Sequence, residues 1–170
     1  MKTISLPKVL FLISLLCSLG VSQGYAQIRP QENSMWCWAS CIQSALDQAN
    51  VYQSQSQIVA RLTGYPQNRP AHINEVVQLL QSYRFRAWSV DYPASPEQLY
   101  STLASGWKLI AFVNPTDNPS VGHFIILQKI ATNNLIVVSD PANGQTYVQH
   151  PEVLYKSWKW SRSIVVGTPA

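Results

Sequence analysis

The sequence lacks several features that would point to common classes of protein. It holds three cysteines, of which Cys37 and Cys41 lie outside an apolar N-terminal segment. Two cysteines are too few to make a disulfide scaffold. They lie four residues apart with no histidine nearby, so they make no zinc set. We therefore predict neither a metal nor another cofactor.

Long runs of like charge are also missing. Without its first 26 residues the chain keeps ten basic and eight acidic residues, a net charge of +2. This balance gives no support for nucleic-acid binding. Internal repeats, low-complexity tracts and long linkers are absent as well, and residues 27–170 have the length of one ordinary domain.

The only long apolar run covers residues 9–20, which is too short for a comfortable membrane span. Two lysines precede it, and a polar stretch with small residues, ending at Ala26, follows it. This order is typical of a secretory signal peptide with cleavage after Ala26, and an uncleaved anchor is the alternative. We therefore expect residues 1–26 to be removed. The mature chain would be periplasmic or extracellular, with no stable membrane association.

The front half of the mature chain has the three-to-four-residue apolar spacing of helices. The first predicted helix starts near Asn33 or Ser34 and runs to about Asn50. Three further helices are marked by a Ser54 or Ser56 cap with Gly64 as the stop, by the apolar set Ile73, Val76, Val77 and Leu80, and by Ser95-Pro96 with Gln98 completing a capping box.

The back half has the short apolar runs of strands. Strands are predicted at residues 85–90, 108–114, 124–130, 135–139, 145–149 and 163–166, with residues 131–134 as a hairpin loop. The runs at 124–130 and 135–139 are nearly continuously apolar, which indicates that both sheet faces are covered. Helices followed by an antiparallel meander predict an α+β fold.

The two remaining cysteines differ in their position on the first predicted helix. Cys41 lies within its apolar stripe, whereas Cys37 lies at the edge of the stripe in the opening turn. Free N–H groups and the positive end of the helix dipole favour a thiolate there. A disulfide between them has poor geometry, because positions four apart point along the helix. We therefore predict that Cys41 packs and Cys37 reacts, although two buried structural cysteines are the plainer alternative.

His123 is the histidine best placed to act as a base. It leads an apolar strand, whereas His72 and His150 stand at element boundaries where surface or capping roles are usual. With the four-residue hairpin loop, Asp140 faces Ile125 and lies diagonally beside His123 on the same sheet face. A carboxylate there can accept the imidazole N–H and fix its tautomer. The plainer alternative for Asp140 is a turn opener before proline.

Gln31 precedes Cys37 by six residues, on the segment that approaches the helix start. Its side-chain amide can donate to a developing oxyanion beside a helix N-terminal N–H. A solvated loop glutamine is the alternative for this residue taken alone.

Taken together, the pattern resembles the papain-like cysteine peptidases. The matching features are Gln31, the run Trp36-Cys37-Trp38-Ala39, Gly122-His123 and Asp140-Pro141. This set of motifs is similar to that of compact bacterial members of the family, which include secreted effector proteases and the leader peptidases of bacteriocin exporters. The resemblance implies a papain-like α+β fold acting on a peptide or protein substrate, and we expect a monomer. It implies Cys37 as nucleophile, His123 as general base and acid, Asp140 as orienter and Gln31 as oxyanion donor.

The chain departs from these relatives in ways that bear on substrate. The 86 residues from Cys37 to His123 are far fewer than in papain itself, so pocket-forming loops must be reduced. Trp36 replaces the aspartate of the Asp-Cys-Gly motif in leader peptidases, which argues against leader processing. Two alternatives stay open. One is another acyl transfer on the same layout, such as isopeptide or cell-wall amide hydrolysis or transamidation, and the other is a non-catalytic exported binding module.

Overall fold

The computed structural model describes residues 27–116, 118 and 122–169. The predicted signal peptide, residues 1–26, lies outside the described residues. The described chain contains five helices and six strands, in the order α1 Cys37–Gln48, α2 Gln55–Thr63, α3 Ile73–Ser82, β1 Phe85–Val90, α4 Pro96–Ala104, β2 Lys108–Val113, β3 His123–Ile130, β4 Ile136–Asp140, β5 Gln145–Gln149, α5 Pro151–Lys156 and β6 Arg162–Pro169. Helices dominate the front of the chain and strands the back, which confirms the α+β prediction.

All six strands form one antiparallel sheet in the order β1-β6-β2-β3-β4-β5. The predicted meander is present from β2 to β5. The last strand departs from it, because β6 returns to the middle of the sheet and pairs with both β1 and β2. The meander prediction was therefore wrong for one strand.

Apolar side chains cover both faces of the sheet, as the continuous runs predict. On one face, the helices α1 to α3 pack against residues such as Ile110, Phe124 and Ile126. On the other face, α4 and α5 pack against residues such as Ile125 and Leu127. The alternation along β3 thus supplies two cores from one strand. Among the described residues, no helix is both long and apolar enough to cross a bilayer.

The capped helices follow the sequence closely. The Ser54 hydroxyl accepts from the backbone N–H of Gln57 in a capping box, and Gly64 ends α2 in the left-handed region at φ 83°. Ser95 and Gln98 form the same arrangement at α4. These local signals fix the ends because each one satisfies a backbone group that the helix leaves free.

The first helix starts later than predicted. Neither Asn33 nor Ser34 caps it, because residues 33–36 form a separate turn in which the Trp36 N–H donates to the Asn33 carbonyl at 3.0 Å. Trp36 is the N-cap and makes no side-chain cap bond, so Cys37 is the first residue of α1. The nucleophile candidate therefore lies at the very end of the helix.

The hairpin between β3 and β4 differs from the prediction by one residue. Ile130 pairs with Ile136, so the loop covers residues 131–135 instead of 131–134. A short 3₁₀ turn, Thr132–Asn134, fills the loop with two left-handed asparagines. Taken alone, this shift would turn the side chains of β4 to the wrong face.

A β-bulge in β3 restores the predicted register. The pairing shifts between Leu127 and Lys129, which leaves Gln128 as an extra residue in β3. Beyond the bulge, Ile126 pairs with Ser139 in the predicted register, and Asp140 follows directly. The Gln128 amide donates to the Ser139 hydroxyl across the two strands, which fixes the bulge in place.

Candidate active site

Three segments meet where β3 begins, β4 ends and α1 begins. His123 is the first residue of β3, Asp140 is the last residue of β4, and Cys37 is the first residue of α1. The three side chains share one cleft of about 760 Å³. The structure therefore brings together the thiol, the imidazole and the carboxylate that the sequence singled out.

His123 is the central residue of this group. Its Nε2 atom lies 2.7 Å from Asp140 Oδ1, and the Cys37 side chain lies close enough to raise the pKa of the ring. Since Asp140 occupies Nε2, Nδ1 is the ring nitrogen left for the thiol. Both members of the His123–Asp140 pair are largely buried, with side-chain exposures of 14% and 11%.

The protonation of His123 follows from these partners. Burial alone lowers the pKa of His123, but the hydrogen bond to Asp140, the nearby Cys37 side chain and the negative charge of both raise that pKa to about 9. The imidazolium is therefore the stable form at neutral pH, which is the state that pairs with a thiolate.

Asp140 is held by bonds of its own. Burial raises the pKa of Asp140, but the hydrogen bonds from His123 and from the Ala142 N–H, with the His123 charge, bring that pKa below its ordinary value. The Ala142 N–H donates to Oδ1 at 2.9 Å. The carboxylate thus stays ionised and fixed, which suits an orienting group.

Cys41 is in a different environment from Cys37. It is fully buried one helical turn further on, and its thiol donates to the Phe124 carbonyl at 3.5 Å. Burial above all, and then the negative charges of Cys37 and Asp140, raises the pKa of Cys41 well above its ordinary value. Both cysteines are free, and Cys41 packs as the sequence predicts.

Gln31 lines the same cleft, with its amide turned toward the local backbone. Its Nε2 atom donates to the Asn33 carbonyl at 2.9 Å and to the Ser34 carbonyl at 2.8 Å. The Gln31 N–H donates to the Pro141 carbonyl at 2.8 Å, which ties this segment to the turn after Asp140. Gln31 thus lines the same cleft as Cys37, and both of its amide hydrogens have acceptors.

The other two histidines lie at element boundaries, as expected, although the helix that follows His150 was not predicted. His150 caps α5, where its Nδ1 atom accepts from the Glu152 N–H at 3.3 Å. His72 is the N-cap of α3 and also lines the cleft, which its position in the sequence did not indicate. Within the described ranges, no three His, Cys, Asp or Glu side chains are arranged to hold a metal ion.

Sequence reasoning missed most of the cleft walls. Trp158 lines the cleft because the Asn114 N–H, just past β2, donates to its carbonyl at 2.8 Å. Helix α5 was also missed, although Pro151 at its first position and Glu152 in its first turn are ordinary start signals. These signals could have placed the segment that carries Trp158.

Gly122 has a steric reason for its place beside His123. A Cβ atom at this position would overlap the ring of Phe112, which also lines the cleft. We expect Gly122→Ala to lower the free energy of unfolding by about 1–3 kcal/mol, as overpacking does elsewhere. Urea denaturation would measure the change. The double variant Gly122→Ala/Phe112→Leu should regain part of the loss, and no loss in the single variant would refute the steric account.

The fold and the cleft define this chain as a papain-like cysteine peptidase, with its thiol on the first helix and its imidazole on the sheet. The Peptidase C39 family model matches residues 26–169, so the chain belongs to the Peptidase C39 family and is a cysteine-type peptidase.

Solved structures support the same fold. The peptidase domain of Streptococcus ComA, described as a bi-functional ABC transporter involved in a quorum-sensing pathway, has a TM-score of 0.67 at 14% identity and covers 85% of this chain and 99% of its own. A double-glycine-motif protease from an AMS/PCAT transporter, in complex with the leader peptide, has a TM-score of 0.61 at 19% identity, covering 87% and 97%. The Streptococcus mutans ComA peptidase domain has a TM-score of 0.55 at 12% identity, covering 84% and 99%. No curated protein matches the chain.

Proposed function

We propose that this protein is an exported cysteine peptidase that hydrolyses peptide bonds through Cys37, His123 and Asp140. The proposal rests on the 2.7 Å contact between His123 and Asp140 in the same cleft that the Cys37 thiol lines. A base within reach of the nucleophile, itself oriented by a third group, is the arrangement that activates a weak nucleophile.

The proposed reaction has two halves. The Cys37 thiolate attacks the peptide carbonyl, and the tetrahedral intermediate collapses as the His123 imidazolium gives its proton to the leaving amine. This step forms a thioester on Cys37 and releases the C-terminal product. His123, now neutral, takes a proton from water, whose oxygen attacks the thioester and releases the acid while the thiolate returns. Asp140 holds the ring in orientation throughout.

In this reaction the oxyanion forms beside the start of α1. The first N–H groups of a helix have no intrahelical partner, so the Cys37 N–H is a natural donor there. Gln31 can add a second donor by exchanging one of its two carbonyl partners, Asn33 or Ser34, for the oxyanion. The exchange costs little, because one hydrogen bond replaces another.

We expect Gln31→Ala to lower kcat by about 10²-fold, since losing one oxyanion donor has that order of effect. KM should change little, because the donor acts on the transition state. Steady-state kinetics with a fluorogenic peptide would measure both constants, with the thermal midpoint Tm checking the fold. A loss of less than threefold in kcat would mean that Gln31 only holds the 33–36 turn.

The cleft walls indicate the kind of residue that the substrate presents. Among the described lining residues, the ones able to carry charge are Cys37, His72, His123 and Asp140. The rest are mainly apolar, including Met35, Phe112, Phe124 and Trp158. Charged substrate side chains would lose solvation there without gaining a partner. We therefore propose that the residues flanking the cleaved bond are uncharged.

The raised pKa of His123 predicts an alkaline limit to turnover. Acylation needs the imidazolium as proton donor, and this form is lost as pH rises through about 9. Asp140→Asn removes the carboxylate charge that stabilises the imidazolium, so the fall should move to lower pH in that variant. The pH profile of kcat/KM would measure both limits. An unchanged alkaline limb in Asp140→Asn would contradict the assigned pairing.

Leader-peptide processing is a second candidate, and the structural matches favour it. This chain aligns with 97–99% of the length of three transporter-associated peptidase domains, one of them in complex with a leader peptide. An assay can separate the two candidates by offering the purified residues 27–170 unstructured casein and a peptide with a Gly-Gly site. Cleavage of casein at many sites supports a general peptidase, whereas cleavage only after Gly-Gly supports leader processing. Cleavage of neither would refute both.

Export rests on residues 1–26, which we propose to be a signal peptide cleaved after Ala26, leaving residues 27–170 as a single domain. N-terminal sequencing of the protein from a bacterial periplasmic fraction tests this. A chain that starts at Gln27 supports the proposal, whereas a cytoplasmic chain that retains residue 1 refutes it.

A further inference from the structure

Two indole rings flank the nucleophile candidate and donate to the same neighbouring loop. Trp36 Nε1 donates to the Gln67 carbonyl at 2.7 Å, and Trp38 Nε1 donates to the Arg69 carbonyl at 3.1 Å. Both tryptophans are almost fully buried. The acceptors lie in residues 64–72, which connect α2 to α3 and are named here the α2–α3 loop.

A third residue of the loop adds two bonds to the same segment. The Asn68 Oδ1 atom accepts from the Met35 N–H at 3.0 Å, and its Nδ2 atom donates to the Ser34 hydroxyl at 3.0 Å. Three consecutive loop residues, 67 to 69, are therefore each bonded to the segment around Cys37. A short loop without regular structure would otherwise keep much of its backbone freedom.

The far end of the loop is fixed to α3. The Arg69 guanidinium forms a two-bond ion pair with Glu75, with its shorter contact at 2.6 Å, and Glu75 also accepts from the His72 N–H at 2.8 Å. The three residues between these anchors, Pro70, Ala71 and His72, line the cleft that contains Cys37 and His123. The loop is thus a cleft wall that is bonded to the segment around Cys37 through residues 67–69 and to α3 through Arg69.

We propose that Trp36 and Trp38 are positioning residues that hold the α2–α3 loop as the substrate-binding wall of the cleft. They set the affinity for a peptide through the loop and leave the intrinsic reactivity of Cys37 unchanged. The inference rests on the proposed peptidase function. It gives the Trp-Cys-Trp run a role beyond packing, because a phenylalanine would fill most of the same volume but could not donate to the loop.

The test compares Trp36→Phe and Trp38→Phe with a matched control, Trp160→Phe. Trp160 is also buried and donates its indole N–H to a carbonyl, that of Arg162 at 2.8 Å. Like Trp36 it lies outside the cleft, whereas Trp38 also lines the cleft, so Trp36→Phe is the variant that Trp160→Phe matches. Two probes of Cys37 are used, a peptidyl epoxide that occupies the cleft and iodoacetamide, which needs only the thiolate. Asn68→Ala serves as a further variant, because this exposed side chain can be removed without opening a core cavity.

We expect the rate constant for the peptidyl epoxide to fall about fivefold to tenfold in Trp36→Phe, Trp38→Phe and Asn68→Ala, because each variant loses one or two hydrogen bonds to or from the loop. The iodoacetamide rate and its pH profile should stay unchanged. KM for a fluorogenic peptide should rise while kcat holds. The control Trp160→Phe should change none of these rate constants, nor KM or kcat, even if its Tm falls.

Two results with the thiol probes would overturn the proposal. Equal losses with both probes would mean that the indoles support the thiolate directly, and unchanged rates with both would mean that the indoles only pack. Hydrogen exchange needs no substrate, so it distinguishes a failure of the loop proposal from a failure of the proposed peptidase function. Faster exchange across residues 64–72 in Trp38→Phe supports the loop clamp even if the wild type cleaves nothing. Unchanged exchange there refutes the clamp whatever the activity.

Discussion

Cys37→Ala should abolish peptide hydrolysis, with kcat falling by on the order of 10⁴-fold or more, because the thioester can no longer form. The fold should survive, since Cys37 lies at the first position of α1 and an alanine fits there. Turnover of a fluorogenic peptide, with circular dichroism as the check on folding, would measure the effect.

Cys41→Ala is the matched control for this variant. Its thiol lies on the same helix but is fully buried and bonded to the Phe124 carbonyl. We expect turnover within a few-fold of the wild type and a modest loss of stability of about 1 kcal/mol from the lost sulfur contacts and weak hydrogen bond. Comparable losses of turnover in both variants would mean that the helix, and not one thiol, was being probed.

His123→Ala should have the second-largest effect, lowering kcat by about 10³ to 10⁴-fold, because one group supplies the general base and the general acid. The variant also leaves the Asp140 carboxylate without its main partner in a largely buried site. We therefore expect lower stability at neutral pH as well. Peptide turnover and urea denaturation would measure the two effects separately.

His150→Ala is the control, because His150 caps α5 and lies outside the cleft. Its turnover should match the wild type. Turnover that persists in His123→Ala would show that another group acts as the base. An added imidazole buffer that restores activity to His123→Ala in proportion to its concentration would strengthen the assignment.

Two helix starts and one helix end were predicted from residues whose capping role is common. Ser54 and Ser95 with their capping boxes, and Gly64 with its left-handed stop, each work within one turn of chain. The start of α1 was predicted less well. Residues 33–36 form a turn of their own, so Asn33 and Ser34 do not cap the helix, and the N-cap Trp36 makes no side-chain cap bond. A capping residue predicts a helix end only when its side chain bonds to the backbone of that same helix.

The meeting of His123 and Asp140 was predicted through two errors that cancel. The hairpin loop is one residue longer than expected, and the bulge at Gln128 takes up the extra residue. Neither feature is visible in an alternating apolar pattern, because Gln128 is held by Ser139 on the neighbouring strand, eleven residues away. Register past a bulge depends on such long-range contacts, which a pattern of single residues does not encode.

The site itself was easier to predict than its surroundings. The chemistry needs particular residue types, so Cys37, His123 and Asp140 stood out before any geometry was known. The cleft walls need only suitable shape, and Phe112, His72 and Trp158 have residue types that are common in any core or loop. The bonds from Trp36 and Trp38 to the α2–α3 loop join residues about thirty positions apart, and no local signal predicts them.

The most direct test of the account is intact-mass analysis after incubation with a peptidyl epoxide, which reacts with an activated thiolate seated in a peptide cleft. We expect one adduct on the protein of residues 27–170, lost in Cys37→Ala and His123→Ala and kept in Cys41→Ala. An adduct that persists in Cys37→Ala, or disappears in Cys41→Ala while that variant remains folded, would contradict it.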